Sequence, residues 1–179
     1  EVPLHRILGE DEVEAGRGFA MLPPASPGDV CFDLEGDPLE VGGLEYLWGV
    51  TFRDEAGALA YRDWWAHDRT EERLALESFL DWIAERREKY PDLHVYHYAS
   101  YETAVLKRLA GRDGSRDDAL DVLLREQVFV DLYGVVRHGL RVGEPKYSLK
   151  NVERLYRGAR AGDVTSGMQS VVVYDAWRH

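Results

Sequence analysis

The chain has 179 residues, 45% of them hydrophobic and 31% charged, a balance that suits one soluble globular domain and excludes a disordered or fibrous chain. With 33 acidic residues against 22 Lys and Arg, the formal net charge of −11 excludes a uniformly basic coat, so a polyanionic partner requires a local basic patch or bound metal. A single cysteine, Cys31, excludes an intrachain disulfide framework, no apolar run approaches the ~20 residues that span a bilayer, and no signal-peptide pattern opens the chain, so a cytoplasmic setting is expected.

Residues 1–28 are rich in Gly, Pro and acids, end in Pro23-Pro24-Ala25-Ser26-Pro27-Gly28, and read as an extended lead-in to a domain covering 29–179. Val30-Cys31-Phe32-Asp33-Leu34 is expected to be a buried strand delivering side chains at its C-terminal end, with Cys31 as packing. Tyr46 to Phe52 and Ala58 to Trp65, joined by Asp54-Glu55-Ala56-Gly57, complete an antiparallel meander, with one ring of Trp64-Trp65 in the core and one at an edge. The period then changes: Leu76, Phe79, Leu80 and Ile83 share one face of a helix from about Glu71 to Lys89. A fourth strand covers Leu93 to Tyr98. Tyr101, Val105 and Leu109 mark a second helix closed by Gly111, with Tyr101 assigned to the core. Asp117 to Gln127 is helical, Val128-Phe129-Val130 is a fifth strand ending at Asp131, and Leu132 to His138 is another helix. Ser148 can cap one more, with Leu149, Val152 and Tyr156 facing inward. The expected class is α/β, a five-stranded mixed sheet of three antiparallel then two parallel strands flanked by helices.

Asp33 and Glu35 stand two apart on the first strand, so both carboxylates point to the same side. Like charges so placed repel unless a proton or cation sits between them, and oxygen-only ligands suit Mg²⁺ or Mn²⁺. The pair reads either as a metal site or as the start of a polar turn, Glu35-Gly36-Asp37-Pro38. An EF-hand loop is excluded, because Pro38 and Leu44 stand where it needs Gly and a carboxylate. Glu102, in the first turn after the fourth strand, and Asp131, at the end of the fifth, occupy strand ends where open sheets gather ligands. Each also has an ordinary reading, as a helix N-terminal acid or a helix cap.

In this order the motifs resemble the ribonuclease H-like fold and its DEDD-type 3′–5′ exonucleases. Val30-Cys31-Phe32-Asp33-Leu34-Glu35 is similar to their first motif, His97-Tyr98-Ala99-Ser100-Tyr101-Glu102 to the second, and Val130-Asp131-Leu132 to the Asp that ends the next strand. Phe32-Asp33-Leu34-Glu35-Gly36-Asp37-Pro38, Tyr147-Ser148-Leu149-Lys150 and Tyr174-x-x-Trp177 resemble a bacterial domain of predicted RecB-family nucleases, sometimes on the same chain as a helicase. The likeness runs from Pro27 to His179. It implies a two-metal-ion 3′–5′ exonuclease acting on single-stranded ends of DNA or RNA, with Asp33, Glu35, Glu102 and Asp131 catalytic. Asp33 and Glu35 would ligate Mg²⁺ or Mn²⁺, Asp33 bridging two ions and Glu102 supporting the second.

Two departures accompany the resemblance. Glu102 replaces the family's Asp and Tyr98 its Asn, and the last motif, a Tyr or His followed a few residues later by Asp on a C-terminal helix, is absent, since Tyr174-Asp175 lacks that spacing. Either the domain is cut before its last catalytic helix, or this copy is a non-catalytic module that binds nucleic acid or docks onto a helicase or nuclease.

The charge is unevenly distributed. Between Val136 and Ala161, seven basic residues face Glu144 and Glu153, a local charge of +5 that leaves −16 elsewhere. Lys146 precedes the capped helix, and Lys150, Arg154 and Arg157 at i, i+4 and i+7 align on one face, a stripe able to track phosphates or simply to be solvated. His97 is expected to be a hydrogen-bonded structural histidine.

Overall fold

The structure, a computed structural model, describes residues 4–156 and 167–178, apart from the side chain of Glu10. In chain order it runs β1 (His5–Ile7), two 3₁₀ turns (Glu10–Glu12 and Gly18–Met21), β2 (Val30–Asp37), β3 (Leu44–Arg53), β4 (Leu59–Trp65) and α1 (Arg69–Lys89). Then come β5 (Val95–His97), α2 (Tyr101–Asp113), α3 (Asp117–Arg125), β6 (Phe129–Asp131), α4 (Leu132–Gly139), β7 (Leu140–Val142), α5 (Leu149–Val152) with a 3₁₀ turn (Glu153–Leu155), and α6 (Gly167–Arg178). The main sheet has the order β4-β3-β2-β5-β6, antiparallel among β2, β3 and β4 and parallel from β2 to β5 to β6. The expected α/β class and mixed sheet are therefore present.

Alternation along β2 fixes the layering. Phe32 and Leu34 are buried on one face, where Phe32 stacks on Phe79 of α1 with ring centroids 4.2 Å apart, while Cys31 and Asp33 are exposed on the other. α1 starts where Asp68 accepts the Thr70 and Glu71 N–H groups at 2.8 and 2.9 Å, and buries Leu76, Phe79, Leu80 and Ile83. With α2 and α3 it covers one side of the sheet through a continuous apolar core that includes Trp48, Leu106 and Leu109. No helix among the described residues is long and apolar enough to cross a membrane.

Several boundaries differ from the expectations. The lead-in is not merely extended: β1 pairs antiparallel with β7, and the backbone of Gly18 lies against that of Gly139. Neither three-residue strand is long enough to show a period. α2 continues through Gly111 to a left-handed C-cap at Gly114 (φ 58°), because Gly111 leaves the helical hydrogen bonds intact. The helix expected after Ser148 is one α turn followed by a 3₁₀ turn, and only Val152 of its three apolar residues is buried; Leu149 and Tyr156 are exposed. α6 covers a stretch to which no element is assigned from sequence alone. Its buried Val171 and Tyr174 pack on Tyr46.

Candidate functional site

The open face of the sheet carries a groove of about 460 Å³ lined by Asp33 and Glu35 together with Cys31, Tyr61, Tyr98 and Leu149. Asp33 and Glu35 share this face as the two-residue period requires. Between Glu35 and Gly36 the pairing with β3 shifts register, a bulge of the kind that re-aims side chains next to functional sites. Cys31 lies in the same row as the carboxylates, which corrects its assignment to the core. Partial desolvation pushes its thiol pKa up, so it is a poor nucleophile.

Glycine at two positions sets the shape of the site. A Cβ at Gly49, the register partner of Asp33, would stand 2.9 Å from the Tyr61 hydroxyl. The absence of a side chain lets the Tyr61 ring close over the strand beside Asp33, and burial followed by the charges of Asp63 and Asp33 raises that phenol's pKa. A Cβ at Gly36 would stand 2.2 Å from Glu45 Oε2 and 2.7 Å from the Tyr101 hydroxyl. Gly36 thus makes room for a buried brace behind the bulge, in which Glu45 accepts from Tyr101 Oη at 2.8 Å and from Arg108 Nη2 at 2.7 Å. Desolvation raises the Glu45 pKa, while Tyr101 and Arg108 oppose the rise. Behind it Glu72, fully buried, accepts from the Glu45 N–H at 2.8 Å, Arg69 Nη1 at 3.0 Å and Arg112 Nη1 at 2.7 Å. Tyr101 is half exposed with its hydroxyl in this brace, not a core residue.

The other predicted acids do not join the groove. Glu102 is buried, with Oε2 3.5 Å from His97 Nδ1 and without a hydrogen-bond partner. His97 Nδ1 lies 2.6 Å from the Ala99 carbonyl, the structural role expected of it. Asp131 caps α4, its Oδ1 accepting from Tyr133 N at 2.8 Å, and the same oxygen accepts from Ala99 N at 2.8 Å. It therefore pins the positive-φ Ala99 turn (φ 68°) and lines a neighbouring cavity of about 640 Å³ that also contains Met21 and His97. Among the described residues, no three His, Cys, Asp or Glu side chains converge closely enough to hold a metal ion.

The basic stripe is only partly present. Lys146 and Lys150 are exposed but do not line the groove, Arg154 is paired with Glu144 at 2.6 Å, and the break from α to 3₁₀ geometry removes the common face. Arg157 lies outside the described residues. Sequence reading missed Tyr61, Glu45 and Glu72; the one available signal was Gly49, a glycine within a β-favouring run, which marks close approach.

Tyr98 closes one end of the groove, donating its hydroxyl to the Tyr147 carbonyl and meeting Tyr133 edge-on at 5.8 Å. Burial, then Tyr133, Asp131 and Tyr156, push its pKa from 10.0 up to about 12. A raised phenol pKa contributes stability that is present below the unfolded value and is lost as pH rises through the folded one. Melting temperatures of wild type and Tyr98→Phe are therefore expected to converge between pH 10 and 12.

One family model matches the chain: RNase_H_2, of the RNase_H superfamily, over residues 30–179, a span that contains the whole five-stranded sheet and α6. No curated protein and no solved structure matches it.

Proposed function

The chain belongs to the RNase_H_2 family of the RNase H superfamily, and from that premise we propose that it is a metal-dependent nuclease that removes nucleotides from the 3′ ends of single-stranded DNA or RNA. Family membership supports a nuclease-like role on nucleic acid. The 3′–5′ direction and the relation to DEDD and RecB-family nucleases rest on the order of the Asp33-x-Glu35, Glu102 and Asp131 motifs along the chain.

The observation that carries the reading is the placement of Asp33 and Glu35 on one face of β2, in an open groove that Leu149 of α5 also lines. RNase H-like nucleases generally use divalent metals, and the donor chemistry here fits: two carboxylates in one groove suit Mg²⁺ or Mn²⁺. Glu102, which follows Asp33 and Glu35 in the order of the motifs, is the third candidate donor. When bound, such an ion acidifies a water for attack on a phosphodiester and stabilises the departing oxyanion. The chain's own residues supply the rest. Phe32 and Leu34 anchor β2 in the core so that Asp33 and Glu35 hold their direction, and the Glu45 brace fixes the bulge behind Glu35. Lys146 and Lys150 attract the phosphates of the strand, and Asp131 holds the Ala99 turn that leads to Glu102.

The lack of a third converging acid among the described residues favours a second reading, a non-catalytic module that binds nucleic acid or docks onto a helicase or nuclease module. End-labelled single-stranded DNA and RNA incubated with the full chain in Mn²⁺ or Mg²⁺, with EDTA as control, separates the two. The proposed activity is expected to shorten strands stepwise from the 3′ end and to stop in EDTA. Binding without shortening under every metal condition would favour the second reading.

A further inference from the structure

The Tyr174-x-x-Trp177 motif has no part in the carboxylate groove, yet α6 places it in a second cavity. This space, about 610 Å³, lies between α6 and the β3–β4 side of the sheet and is lined by Tyr46, Trp65, His67, Tyr174 and Trp177 with Leu47. Its inner rings lie in near-parallel planes, while Trp177 is tilted 44° to His67. Tyr46 and Tyr174 stack at 4.0 Å and 7°, His67 and Tyr174 at 5.8 Å and 16°, and Tyr174 and Trp177 at 6.1 Å and 29°. The inner rings are fixed by their polar ends: Tyr46 Oη lies 2.7 Å from Ser170 Oγ, and Tyr174 Oη 2.9 Å from His67 Nδ1. The outer rings are partly exposed, Trp65 49% and Trp177 68%. The geometry points to a base-stacking subsite, in which an unpaired nucleobase of the strand being processed inserts against Trp177 and Trp65.

Three observations select a base as the occupant. First, the exposed rings of Trp65 and Trp177 are π surfaces inclined by 27° to Tyr46 and 29° to Tyr174, and bases stack on such aromatic surfaces without regard to sequence. Second, the lining offers a phosphate no charged anchor: among the described residues it is aromatic and aliphatic apart from Ser170 and His67, with no Lys or Arg. A nucleotide entering here does so base first, leaving its phosphate outside. Third, the cavity adjoins the carboxylates. Leu47 lines both spaces and is the register partner of Glu35, and a Cβ at Gly167, the first residue of α6, would lie 3.9 Å from Glu35 Oε2. A strand with a base in this cavity can therefore run past Leu47 toward Asp33 and Glu35.

The inference rests on the nuclease reading and deepens it, and its test distinguishes failure of one from failure of the other. Binding of a fluorescently labelled single-stranded oligothymidylate is compared with binding of an abasic strand of equal length and charge, in Ca²⁺ so that cleavage does not deplete the probe. The full chain is expected to bind the base-bearing strand about 10-fold more tightly. Trp177→Ala, a change at an exposed ring that leaves the core intact, is expected to bring the two within about 2-fold, while Trp177→Phe keeps most of the difference. Equal binding of both strands by the wild type, or an undiminished preference in Trp177→Ala and Trp65→Ala, overturns the subsite and leaves the nucleic-acid reading in place. Failure to bind either strand overturns both.

Discussion

Asp33→Asn is expected to lower Mn²⁺-dependent shortening of a single-stranded oligonucleotide by at least about 100-fold, the scale on which loss of a charge-stabilising group at a reacting centre is felt. The substitution keeps the size and shape of the side chain. Asp33 is exposed, and the contact that its Oδ1 accepts from the Leu34 N–H at 3.1 Å is one that an amide oxygen can keep. Removing one of two like charges on the same strand face relieves repulsion, so the melting temperature without metal should be unchanged or slightly higher. Added Mn²⁺ should raise the melting temperature of the wild type and leave that of the variant unmoved, because a ligand stabilises only the state that binds it. Retained activity in Asp33→Asn, or an equal Mn²⁺ shift in both proteins, would remove Asp33 from the site.

Glu72→Ala is expected to cost about 3–5 kcal/mol of folding stability, the range for removing one partner of a buried ionic network. The carboxylate is fully buried and serves three donors, the Glu45 N–H and the guanidinium groups of Arg69 and Arg112. Its loss leaves the buried Glu45 N–H without its acceptor and removes the carboxylate that joins Arg69 and Arg112. For a chain of this size the melting temperature should fall by about 10 °C. Asp81→Ala, which breaks an exposed pair with Arg116 at 2.8 Å, provides the contrast: it should leave the melting temperature nearly where it was. A small effect of Glu72→Ala would show that water enters the network and resolvates it.

Periodicity made much of this fold legible in advance. The step from a two-residue to a 3.6-residue period at α1 is plain in Leu76, Phe79, Leu80 and Ile83, and the three long strands follow from their β-branched and aromatic content. Trp64 packs into the core and Trp65 at the edge, as the alternation implied. The same alternation places Cys31 with Asp33 on the open face; the apolar look of the run concealed it. What sequence does not carry is partnership at a distance. Glu45 and Glu72 look like surface acids until the fold brings Arg108, Arg69 and Arg112 to them, and Arg154 looks like a phosphate contact until Glu144 occupies it. Asp33 and Glu35 were legible as a pair because only local geometry joins them. Whether Glu102 stands with them depends on tertiary placement, and its described contact is His97.

The pairing of β1 with β7 separates ancestry from cooperativity. The family resemblance begins at Val30, yet the backbone before it is stitched into the body of the domain: β1 completes β7, Met21 lines the cavity beside Asp131, Asp29 accepts the His94 N–H at 2.9 Å, and the Gly28 carbonyl accepts from Arg86 at 2.8 Å. A border drawn by inheritance would leave the hydrogen-bonding edge of β7 bare. Residues upstream of the matched span are therefore joined by backbone and side-chain hydrogen bonds to the fold that carries it, and removing residues 4–29 is expected to lower the melting temperature.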